Sequence, residues 1–302
     1  MTKPMQEEAQ EEFNRRLVMR QQEFKKRNSD ELDAIKAYHC PIFGAKPNGH
    51  PALVGTATCL RFGDAFFLAS AAHVFDECTS TSLYTVANQK HLLLEGTVHK
   101  TRCATGRGDD TIDIGVLELN EVTDQLRKVY SFASLNKLAV NETPARNKYY
   151  AILGYPATKA RPIYGTTTTA LQMYSYADFG ASDTAYSTLT LSKKGSIAVR
   201  FTKGRCLSET GSQVVFPDPY GMSGGGIWLL EDMSKPFAQS HIGKLAGIAI
   251  EYHKNKSLLV GTSVEAVIAA IAHNYPSIAS DLPSTSFRVV SPVKSPVINH
   301  CS

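Results

Sequence analysis

Along most of the chain, apolar residues fall in short runs or alternate with polar ones, and turn-forming residues separate them. Runs at 54–62, 65–70, 82–86, 91–99, 112–119, 149–153, 187–191, 196–201, 226–230 and 244–250 read as strands. Gly63-Asp64, the stretch 106–110 and Lys193-Lys194-Gly195 supply punctuation between them. Short strands at this density over about 235 residues, with few helical patterns, predict an all-β barrel or sandwich class. A Thr run at 166–169 is compatible with a further strand, and no fixed-period repeat is present.

Two stretches break this texture. In the first 38 residues, Phe13, Leu17 and Phe24 recur near helical spacing, with charge on the other faces, until Asn28-Ser29-Asp30 interrupts. Sixteen of these 38 residues are charged, against 44 of the other 264. The pattern predicts a helical arm, either a solvated face or a docking site for a regulatory protein partner. Near the other end, Thr262-Ser263-Val264-Glu265 reads as a capping box. Val267, Ile268 and Ile271 give an apolar face, and Asn274 with Pro276 stops the helix. Residues 276–302 are rich in Ser, Pro and Val without a period and read as a loose tail.

Composition narrows the class. The 302 residues are 43% hydrophobic and 20% charged, enough apolar material for a full core and too little charge for disorder. A net charge of +4 without a basic block gives no case for nucleic-acid binding. The most apolar runs are strand-length, so no membrane span is expected. Glu7, Glu8, Glu11 and Glu12 stand where a secretory signal has its apolar core, and a cytoplasmic location is the expectation. Six cysteines without C-x-x-C spacing then read as reduced, buried thiols, with Cys59 and Cys78 flanking one candidate site segment as a pair that could lie close.

Three segments carry candidate chemistry. The first is an apolar strand running through Ala71-Ala72 into His73; the second is Asp113 at the mouth of the apolar run Ile114-Gly115-Val116-Leu117. A carboxylate there costs several kcal/mol unless it is hydrogen-bonded, so it wants a partner such as an imidazole N–H. The third is Gly221-Met222-Ser223-Gly224-Gly225-Gly226, a backbone free to turn tightly and to aim N–H groups at one spot, as an oxyanion hole requires. Each alone has a commoner structural reading: a core histidine, an Asp capping its own turn, a flexible Gly-Ser turn. Their order, His then Asp then Ser on a β-rich chain, is what gives them weight together.

These motifs resemble the catalytic signatures of the chymotrypsin-like (trypsin-like) serine peptidases, nearest to cytosolic or bacterial members, over roughly 52–272. Leu153-Gly154-Tyr155-Pro156 and Gly247-Ile248-Ala249 add weaker matches. The resemblance implies two six-stranded antiparallel barrels with a C-terminal helix, here preceded by the arm. The peptidase domain would span 39–275, its barrels meeting near 140–150. It implies a serine endopeptidase acting on protein or peptide through an acyl-enzyme, with Ser223 as nucleophile, His73 as base and Asp113 as its orienter. The N–H groups of Gly221 and Ser223 would hold the oxyanion, and Ile250, Glu251 and Tyr252 would run beside the substrate as an added strand.

Departures from the family pattern qualify this. Met222 stands where secreted members have the Asp that receives a new N-terminus. Pro217, at the family's pocket floor, argues against a preference for Arg or Lys, although Asp218 is its neighbour. Tyr252 stands at the pocket entrance, where a ring would admit only small side chains. The competing reading is a catalytically silent peptidase-like fold serving as a protein-binding module. With no H-E-x-x-H and no clustered Cys/His set, no metal or cofactor is expected.

Overall fold

The computed structural model describes residues 3–45, 50–88, 90–103, 105–120, 123–162, 169–207 and 213–287. The Thr run at 166–168, the side chains of Phe13 and Leu17 and the tail at 288–302 lie outside the described residues. The chain divides into two units, Met1–Lys36 and Ala37–Ser302. The first holds one 34-residue helix, α1 (Lys3–Lys36). Its central positions are long-chain charged and amide residues, which lose little rotamer freedom in a helix.

The core of the second unit is two large antiparallel sheets, with two short two-stranded ribbons beside them. In the first, β1 (His39–Ala45), β2 (Pro51–Phe62), β3 (Ala65–Ala71), β4 (Tyr84–Ala87), β5 (Lys90–Leu93), β6 (Val98–Lys100) and β7 (Ile114–Glu118) take the order β5-β4-β1-β2-β3-β7-β6. The second contains β8 (Lys148–Gly154), β9 (Tyr174–Phe179), β10 (Ser196–Arg200), β11 (Gly226–Asp232), β12 (His241–His253) and β13 (Leu258–Ser263). Its order is β9-β8-β11-β12-β13-β10, and a Gly180–Val199 bridge brings the two edges together. This is the all-β, double-barrel architecture expected, except that the first sheet has seven strands rather than six. Each sheet encloses its own apolar cluster, one around Leu68, Phe75 and Leu117 and the other around Ile152, Ile227 and Phe201.

Local chemistry explains most elements and corrects several expectations. Residues 187–191, read as a strand, fall instead at the end of and after a short helix, α3 (Asp183–Thr188). Ser182 caps that helix by accepting from the Ala185 N–H, and the buried Tyr186 hydroxyl accepts from the Ala198 N–H at 2.8 Å. The C-terminal helix, α4 (Val264–Asn274), starts at Ser263, whose hydroxyl accepts from the Ala266 N–H. The expected box is incomplete, because the Glu265 carboxylate accepts from the Asn141 N–H at 2.8 Å, away from its own helix. The tail is ordered further than its composition suggests: Pro276–Asp281 forms a 3-10 helix and Leu282 is buried.

Cys59 packs against Cys40, and Cys40, Cys59, Cys78 and Cys103 form no disulfide. Burial, reinforced by Cys40, pushes the Cys59 thiol well above its ordinary range. Cys78 and Cys103 are not fully buried, against the expectation. Among the described residues, no helix is long and apolar enough to cross a membrane, and no group of three His, Cys, Asp or Glu is placed to hold a metal ion.

Candidate active site

Strand register brings two of the three chemical segments together. β3 and β7 are antiparallel, with Ala71 opposite Ile114. The residue leaving β3 and the residue entering β7 therefore meet at the same end of the sheet. The chain turns there into α2 (Ala72–Asp76), which carries His73. The Ala72 N–H donates to the Asp113 carbonyl at 2.9 Å and the His73 N–H to Asp113 Oδ1 at 3.0 Å. His73 Nδ1 lies 2.5 Å from Asp113 Oδ2. A carboxylate only accepts, so Nδ1 carries a proton, and in the neutral imidazole Nε2 then holds the lone pair.

Asp113 is 8% exposed and has φ +39°, in the left-handed region. A side chain bearing a Cβ holds such a conformation only where the surroundings over-determine it. Here Asp110 does so: its Oδ1 accepts from the N–H groups of Ile112 at 3.2 Å and Asp113 at 3.0 Å. Thr262 Oγ1, at the end of β13, donates to the Ile112 carbonyl and ties the same turn to the second sheet.

The glycine-rich segment is laced to β2. Thr56 N–H donates to the Ser223 carbonyl at 2.9 Å, Thr56 Oγ1 to the Gly221 carbonyl at 2.9 Å, and Thr58 Oγ1 to the Gly224 carbonyl at 3.1 Å. The Gly224 N–H donates to the Ala249 carbonyl at 2.7 Å. Gly221 and Gly224 have φ of +91° and +89°. A Cβ at Gly224 would sit 1.9 Å from the Thr56 carbonyl oxygen, so glycine is required there. With the carbonyls so engaged, the N–H groups of Gly221 and Ser223 donate to no protein acceptor among the described residues.

The Ser223 hydroxyl donates to the Ile250 carbonyl at 3.3 Å and makes no hydrogen bond to His73. Ile250 is the residue skipped where the register of β12 against β13 shifts between Ala249 and Glu251, which leaves its carbonyl outside the ladder. The pairing of β11 with β12 reaches Ile248, so residues 250–252 have one edge unpaired among the described residues.

Two cavities open here, sharing Ile250 and Glu251 as walls. One, about 320 Å³, is bordered by His73 and Asp113; the other, about 280 Å³, by Ser223, Tyr252, Ile152 and Met222. Asp218 and Pro219 line the second cavity, whereas Pro217 is not among its walls. Asp218 is ion-paired with Lys203 at 2.9 Å. That hydrogen bond, with one from the Tyr220 N–H, holds its carboxyl below the ordinary carboxylate range. The Lys203 ammonium also lies over the Tyr252 ring, 5.6 Å from its centroid, and that ring packs edge-on against Phe201. Tyr252 thus stands in the wall and leaves more room than a small side chain needs; an apolar cavity of about 150 Å³ already accepts benzene.

Sequence reasoning missed Asp110, Arg107 and Lys203. The stretch 106–110 carried a signal only as a turn, and Lys203 sits in a 3-10 turn with no pattern of its own.

No family model and no curated protein matches the sequence. Among solved structures, the chain is similar to the protease Anisep from Arthrobacter nicotinovorans, at 15% identity and a TM-score of 0.44 over 75% of this chain and 90% of that one. It is similar to neuropsin, a serine protease expressed in the limbic system of mouse brain, at 13% identity and a TM-score of 0.47 over 81% and 94%. A scabies mite inactivated protease paralogue gives 11% identity and a TM-score of 0.46 over 81% and 93%. Likeness at this level does not bear on activity.

Proposed function

We propose that this chain is a serine endopeptidase that hydrolyses peptide bonds through Ser223, His73 and Asp113. The observation that carries the reading is the buried Asp113 carboxylate on His73 Nδ1, which leaves Nε2 as a base. Ser223 leaves the Ile250 carbonyl, gives its proton to Nε2 and bonds to the substrate carbonyl carbon. The unpaired N–H groups of Gly221 and Ser223 receive the oxyanion. Collapse breaks the C–N bond, and the imidazolium hands its proton to the departing amine. Water then attacks the acyl-enzyme, with His73 again as base. The open edge at 250–252 supplies a place for the substrate backbone to add as a strand.

A fluorophosphonate probe tests this directly. The expected result is one covalent adduct on Ser223, located by peptide mass spectrometry, and its absence under folding conditions would sink the reading. The rate of labelling should rise with pH as His73 loses its proton, because only neutral imidazole accepts one from Ser223. A rate flat between about pH 5 and 8, with chemistry limiting, contradicts that role.

The Ser223–Ile250 hydrogen bond favours a second reading, a silent peptidase-like binding module. Catalytic hydrogen bonds commonly tighten only once substrate is bound, so the enzyme reading stands ahead of it.

The substrate side chain that fits beside Ser223 is apolar, on the scale of Leu or Met. Ile152, Met222, Ala249 and Leu259 line that cavity, and each of its two carboxylates has a partner, Lys203 for Asp218 and His253 for Glu251. Lys203→Met therefore raises kcat/KM for Arg-containing peptides relative to Leu-containing ones by about fivefold, the worth of a half-exposed ion pair. An unchanged ratio in paired peptide assays removes Asp218 from specificity.

A further inference from the structure

We propose that Arg107 is a positioning residue that locks the helix carrying His73 to the turn carrying Asp113 and sets the charge around both. The inference rests on the peptidase reading above. Arg107 Nε donates to Asp76 Oδ2 at 2.8 Å, and Asp76 lies on α2, three residues after His73. Its Nη1 donates to Asp110 Oδ2 at 2.6 Å and to the Thr101 carbonyl at 2.7 Å. The same nitrogen stands 3.7 Å from Asp113 Oδ1. One planar fork therefore ties its own turn, at Thr101 and Asp110, to Asp76 on α2, 31 residues away, a task to which a lysine point charge is not suited.

Each partner is itself fixed. Lys100, with a side chain only 4% exposed, donates to Asp76 Oδ1 at 2.7 Å. Thr101 Oγ1 donates to Asp110 Oδ2 at 2.7 Å and accepts from the Ile114 N–H at 2.9 Å. Asp110 then holds the Asp113 backbone in its left-handed conformation through two N–H groups. Burial works against the Asp76 charge, but the hydrogen bonds from Arg107 and Lys100 outweigh it and bring its carboxyl below the ordinary range.

The charge arrangement gives Arg107 a second effect. Around His73 stand Asp113, Asp110 and Arg107 from the turn, Asp76 from its own helix, and Glu251 and His253 from β12, the last two paired at 3.0 Å. The Arg107 guanidinium stands 3.7 Å from the Asp113 carboxylate, and it opposes the imidazolium that this carboxylate favours. Removing its charge makes protonated His73 easier to form.

The test uses the full chain with Arg107→Met and Arg107→Lys. Arg107→Met is expected to lower kcat about 10- to 100-fold, with KM little changed, and to move the acid limb of the pH–rate profile to higher pH. Arg107→Lys should bring that limb back without restoring kcat, because it keeps a cation and loses the fork. A folded Arg107→Met enzyme with wild-type kcat and an unmoved limb overturns the proposal. If Arg107→Met does not fold, wild-type kcat in Arg107→Lys overturns it equally. An NMR titration of His73 reads the charge effect without turnover. A wild type inert to the fluorophosphonate probe, with a His73 titration that still moves in Arg107→Met, removes the peptidase reading and supports the electrostatic link. An active wild type with an unmoved titration removes the link alone.

Discussion

Ser223→Ala is expected to lower peptide or ester hydrolysis by about 10⁶-fold and to abolish fluorophosphonate labelling. The size follows from the geometry. On the proposed reading Ser223 is the nucleophile, and the N–H groups of Gly221 and Ser223, which have no protein acceptor among the described residues, flank it. His73→Ala should lose a similar factor, because without a base Ser223 keeps its proton. The double variant should be no worse than either single one. On the proposed reading the three residues would act as a unit, and what survives would come from binding and the oxyanion donors alone. Steady-state rates for the wild type, both single variants and the double variant decide it. A double variant about 10⁴-fold below the singles would show two independent contributions and break the shared mechanism. A Ser223→Ala protein with undiminished hydrolysis would place the activity elsewhere.

The second large effect is structural and falls on the same turn. Gly224→Ala is expected to destabilise the protein by about 3–5 kcal/mol, at the upper end of single substitutions. The new Cβ would enter at φ +89°, 1.9 Å from the Thr56 carbonyl oxygen and 2.0 Å from Ser70 Oγ. Ser70 Oγ already donates to that carbonyl at 2.7 Å inside the β2–β3 pair, so no flexible side-chain end can simply yield. Relief requires moving β2, and Thr56 on β2 holds the Ser223 and Gly221 carbonyls. Stability and the site therefore fail together. For a domain of this size, thermal unfolding should move down by about 10 °C. Gly204→Ala is the control: its Cβ meets nothing within 4 Å, and the change should stay within about 0.5 kcal/mol. Equal midpoints for the two variants would show that the turn has slack the structure does not contain.

The sequence by itself determined the class of the fold, because period-two burial and turn residues are local properties that each strand carries alone. It determined α4 through the Ser263 cap and the Asn274 stop, and it marked His73, Asp113 and the glycine-rich turn by residue type. It did not determine who meets whom. That Asp113 reaches His73 follows from the register of Ala71 against Ile114, a pairing of strands more than forty residues apart. Cys59 meets Cys40 because β1 lies beside β2, an adjacency no spacing reveals. Residues 187–191 alternate like a strand, yet Ser182 and the buried Tyr186 commit the segment before them to a helix whose worth comes from tertiary contact. Asp218 looks from the sequence like a free pocket charge, and only the fold sets Lys203 against it. Arg107 is one more turn residue in the sequence and in space joins that turn to Asp76 on α2. The reason is the same throughout: burial pattern and capping are encoded within a few residues of each element. Charge pairing and strand adjacency are decided by where the closed sheets bring distant side chains, and there the deep cost of an unpaired buried charge selects the partner.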